Sequence, residues 1–166
     1  MDLIKEQYDW VRMTREKLFD FLENISVKDF QTELEDFGWG SMKHAHLHAA
    51  MCYHAWLEGF AWKREVKHVS PEQITKPADM KTVFTEVDQL VYEFIKSSKG
   101  RWNTKIAGTV PWHEEEVEFT NLWLVTHIMT HEFHHKGQIV SMGRKLGYVP
   151  TDTDLIDPVE INQYNN

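Results

Sequence analysis

At 166 residues, with 42% apolar and 27% charged side chains, the chain has the length and balance of a single globular domain (residues 1–166) that buries a substantial core. Its formal charge of −8 excludes nucleic acid as a partner, no apolar run reaches membrane-spanning length, and the single cysteine, Cys52, allows no internal disulfide. The expectation is a cytoplasmic protein with no leader and no membrane span, whose seven Trp and nine Phe imply thick cores, an aromatic pocket or a subunit interface.

Ile4, Tyr8, Val11, Leu18 and Leu22 mark a helical stripe over residues 2–23, interrupted by Arg15. Ser26 caps a short helix over 26–36. Gly38-Trp39-Gly40 breaks the chain, and Ser41 caps a helix running to about Lys63. A loop from Ser70 to Pro77 leads to a third long helix, marked by Met80, Val83, Phe84, Val87, Leu90, Val91 and Phe94 and ending before Gly100. Residues 100–119 read as irregular or briefly extended, a length that in a compact domain often carries function. Thr120 or Asn121 starts a fourth long helix to Leu146. Arg144 and Lys145 suit its negative end, and Gly147 suits the position after it. Residues 147–166 form a polar C-terminal tail. Long helices without a convincing sheet predict an all-α four-helix bundle.

Ten histidines are present. At about 100° per residue, His131 and His135 fall in the middle of the stripe formed by Leu124, Ile128, Ile139, Met142 and Leu146. Two imidazoles in a core must be satisfied by something, and a metal ion does so. On the second long helix His48 shares a face with Ala45, Cys52, Ala55 and Gly59, small residues that leave room for a ligand; His44, one turn earlier, competes for the same role. Three neutral imidazoles leave coordination positions open, as catalytic sites do, and zinc, nickel and ferrous iron all accept them. Cys52 reads as a small core residue more readily than as a thiolate ligand. His46 and His54 point to surface or interface, and His127 and His134 to supporting positions beside the ligands. Leu122, Met129, Phe133 and Val140, with Leu57 and Phe60, give these helices a second apolar face, which implies a homodimer or a tail wrapped over it.

His131-Glu132-Phe133-His134-His135 also fits the H-E-x-x-H pattern of metallopeptidases, with Glu132 as general base. Against this, Glu132 faces packed helices, Gln138 and Ser141 stand where the extended motif needs Gly and His, and no Glu-bearing helix follows.

Ser41 preceding His48 by seven residues, His131-x-x-x-His135 followed by Gly137-Gln138, and the exit Leu146-Gly147-Tyr148-Val149-Pro150 resemble the DinB-like (DinB/YfiT) superfamily across nearly the whole chain. The resemblance implies an up-down-down-up bundle, commonly dimeric, with a divalent transition metal on His48, His131 and His135, so it prefers His48 over His44. Characterised members of that superfamily are transferases and isomerases that use bacillithiol, mycothiol or glutathione. The implied function is a metal-dependent thiol S-transferase acting on a small molecule, in a pocket to which Trp56, Trp62 and Trp112 are candidate walls. The alternative is a non-catalytic dimeric bundle that binds a metal or a small molecule.

Overall fold

The computed structural model describes residues 2–155. Helix α1, Leu3–Glu23, begins at Asp2, whose side chain accepts from the Lys5 amide. Helix α2, Val27–Gln31, is shorter than the sequence predicts but is capped by Ser26. Helix α3, Met42–His54, starts at Ser41, whose hydroxyl accepts from the His44 amide. It continues as a π-helical stretch, Ala55–Ala61, and the chain then turns at Lys63, a non-glycine residue with φ +54°. A 3₁₀ turn at Pro71–Gln73 precedes α4, Asp79–Ser98. Strands β1, Lys105–Gly108, and β2, Val117–Thr120, form the extended part of the 100–119 segment. They pair antiparallel, with Lys105 opposite Thr120 and Gly108 opposite Val117. Helix α5, Asn121–Lys145, is capped by Thr120 and ends in a Schellman turn, with Gly147 at φ +94° and the Tyr148 amide donating to the Gly143 carbonyl.

Side-chain contacts give the direction of each helix. Arg15 meets Glu132 and Phe21 lies against Gly143, so α1 and α5 run parallel. Tyr8 and Arg15 both reach Asp88 while Phe19 packs on Phe84, so α4 runs against α1. His48 faces His135 and Trp56 faces Trp123, so α3 runs against α5. The bundle is up-down-down-up, as the family resemblance implies. A Cβ at Gly143 would lie 2.5 Å from Phe21, so only glycine allows α1 and α5 to approach so closely there.

The core includes Tyr8, Leu18, Phe30, Tyr53, Phe84, Phe94, Leu124, Ile128 and Ile139. The second apolar faces are mostly covered within the chain: Leu57, Phe60, Met129 and Val140 are buried. Leu155, beyond α5, lines one groove with Trp10, Met129 and Phe133. Upstream, the Tyr148 hydroxyl donates to Asp29 at 2.6 Å. Tail residues 156–166 lie outside the described residues. Among the described residues no helix is long and apolar enough to cross a membrane.

Candidate metal centre

Because α3 and α5 pair antiparallel, His48 lies across from both α5 histidines. The Nε2 atoms of His131 and His48 are 3.1 Å apart, and those of His135 and His131 are 3.0 Å apart. Donors about 2.0–2.1 Å from a shared ion lie about 2.9–3.4 Å from one another in octahedral or tetrahedral geometry, so the spacing fits three ligands of one divalent metal. His44 is elsewhere: its Nδ1 lies 2.9 Å from the Ser41 hydroxyl and 3.2 Å from Glu33. Face geometry left His44 and His48 equivalent; the structure groups only His48 with the α5 pair.

The surroundings prepare these rings as ligands. Burial, reinforced by the neighbouring imidazoles, pushes His48 down to about 4 and His131 to about 3, and burial also lowers His135. All three are neutral at physiological pH, as metal binding requires. Gln138 fixes one tautomer: its Oε1 lies 2.8 Å from His135 Nδ1, and its Nε2 lies 3.1 Å from His134. The amide thus accepts from Nδ1–H and leaves the Nε2 lone pair facing the other donors. Trp39, from the Gly-Trp-Gly break, stacks on His48 with ring centroids 3.7 Å apart.

His48 and His131 open onto a cavity of about 580 Å³ walled by Trp56, Phe60, Val110 and Trp112. The face predicted around His48 is retained, with Cys52, Ala55 and Gly59 along it. The π-helical stretch supplies Trp56, Gly59 and Phe60, a use of irregular helix common at functional sites. The hairpin supplies Thr109 to Trp112, so the irregular 100–119 segment forms one wall. Trp62 is not part of it; that ring packs on Phe94 beneath Arg64. Lys63 stands at the edge, its ammonium donating to the Ala107 carbonyl at 2.6 Å.

Glu132 turns the other way. Its carboxylate takes a bidentate pair from Arg15, at 3.0 and 2.7 Å, a hydroxyl from Tyr53 at 2.5 Å and the Lys136 ammonium at 3.0 Å. Arg15 also meets Asp88 at 2.6 Å, so two buried cations face two carboxylates. Burial alone would raise the Glu132 carboxyl, but Arg15 and Lys136 outweigh it and hold it well below the usual range. A carboxylate so occupied is no general base for an H-E-x-x-H peptidase. The interruption of the first stripe by Arg15 was the sequence signal for this network, since a charge inside an apolar stripe demands a buried partner.

His46 and His54 depart from expectation: they are 1% and 2% exposed. His54 pairs with Glu58 at 2.9 Å. His46 lies between Phe19 and Phe84, neither ring nitrogen has a partner, and burial pushes it down to about 3.

Comparison with curated proteins finds no match. The profile of the DinB family matches residues 1–164. With this bundle and a histidine cluster suited to a divalent metal, the chain belongs to the DinB family.

Proposed function

We propose that this protein is a metal-dependent thiol S-transferase in which His48, His131 and His135 hold a divalent metal, zinc or nickel, and a low-molecular-weight thiol such as bacillithiol binds beside it. The observation that carries this reading is the convergence of three neutral imidazoles, two of which, His48 and His131, line an aromatic cavity. Bound there with a coordination position left for substrate, the metal supplies a Lewis acid that lowers the pKa of a thiol.

The chain's own residues provide the rest. Gln138 holds His135 in the ligating tautomer, and Trp39 fixes the ring plane of His48. Trp56, Phe60 and Trp112 exclude water and take the apolar part of the electrophile. Lys63, the one Lys or Arg among the described residues lining the cavity, presents a cation to a carboxylate on either substrate.

The test is conjugation of a chromogenic electrophile by metal-loaded protein with bacillithiol, mycothiol or glutathione. Turnover that chelation and His131→Ala abolish supports the reading. A metal-loaded wild type that conjugates none of the thiols rejects it.

A further inference from the structure

The antiparallel pairing of α3 and α5 has a geometric corollary. One turn along α3 from His48 is Cys52, and one turn back along α5 from His131 is His127. Moving one turn in opposite senses on antiparallel helices preserves the juxtaposition across them. Accordingly the Cys52 sulfur and one ring nitrogen each of His127 and His131 all lie within 4.8 Å of one another, and all three residues line the cavity. We propose that Cys52, His127 and His131 form a second metal site, selective for thiophilic ions such as Cd²⁺ or Cu⁺, which overlaps the histidine triad through His131.

The donor chemistry separates the two sites. The triad offers imidazoles alone, with its nitrogens already about as close as one ion requires. The second set adds sulfur, which soft ions prefer, and must close from up to 4.8 Å to about 3.5 Å between sulfur and nitrogen. Burial pushes the Cys52 thiol up to about 12, so the metal-free site holds no thiolate. Binding forms a metal–sulfur bond and releases the S–H proton to solvent, with no change of oxidation state. Borderline ions take the preformed triad, whereas soft ions, for which sulfur is worth most, take the site with Cys52. Because His131 belongs to both, a soft ion dismantles the triad. The second site does not depend on the triad being catalytic.

Cadmium titration of the full chain, followed by ultraviolet cadmium–thiolate charge transfer, tests the proposal, with the helical circular dichroism of each variant as the control for folding. Wild type is expected to show the band, Cys52→Ala and His127→Ala to lose it while still loading nickel, and His135→Ala to keep it. Cys52→Ser is the second variant should Cys52→Ala fail to fold. No band in wild type, a band that survives His127→Ala, or one lost in His135→Ala overturns the second site. A failure of thiol conjugation leaves these cadmium results untouched.

Discussion

Arg15 and Glu132, 117 residues apart in the chain, meet as a two-point ion pair with both side chains 2% exposed. The pair ties α1 to α5 at the turn that carries His131 and His135. It is also why a sequence that reads H-E-x-x-H has no free glutamate.

Removing one partner of this network leaves buried charge uncompensated. Glu132→Gln should therefore cost about 3–5 kcal/mol in urea-denaturation stability. In the fraction that remains folded, metal content should be retained. Loss of metal without loss of stability would place Glu132 at the metal after all.

His46 predicts how stability responds to acid. It stays neutral in the fold down to about 3, against an ordinary 6.5. Below pH 6.5 the unfolded chain takes up a proton that the folded chain refuses. The stability this residue contributes is complete above 6.5 and drains away as pH falls towards 3, with a slope approaching about 1.4 kcal/mol per pH unit. His46→Phe, which suits the neighbouring Phe19 and Phe84 rings, should flatten that slope. Denaturation of wild type and variant from pH 7 to pH 4 checks this, and parallel curves would contradict it.

Gln138 and Trp39 contact two of the candidate ligand rings, His135 and His48. Gln138→Leu should weaken nickel affinity about 10–100-fold, the usual cost of losing such a partner, with little effect on stability. Trp39 lies close enough to His48 for its fluorescence to respond when nickel binds. Trp39→Phe should remove most of the nickel-dependent quenching. Unchanged affinity in the first variant, or unchanged quenching in the second, would contradict these roles.

Much of this was legible in the sequence because local rules decide it. Ser26, Ser41, Thr120 and Gly147 bound their helices as capping chemistry dictates. The i, i+4 spacing placed His131 and His135 on one face, and the seven-residue step from Ser41 to His48 is an N-cap followed by two turns of helix. What depends on the register between helices was hidden. Nothing local tells that His46 lies between rings of α1 and α4, that Trp62 faces α4 rather than the cavity, or that Glu132 meets Arg15. Helix periodicity likewise missed Trp39, which a loop positions, whereas the length of the irregular 100–119 segment and Trp112 pointed to the hairpin wall.

The central claim is that His48, His131 and His135 act together as one metal site. The most direct measurement is nickel stoichiometry and affinity by calorimetry for wild type and for single alanine variants of these three histidines, with His44→Ala as the control. One tightly bound equivalent in wild type and in His44→Ala, lost in each of the three others, is the predicted result. Tight binding that survives any one of the three substitutions, or that disappears with His44, would contradict it.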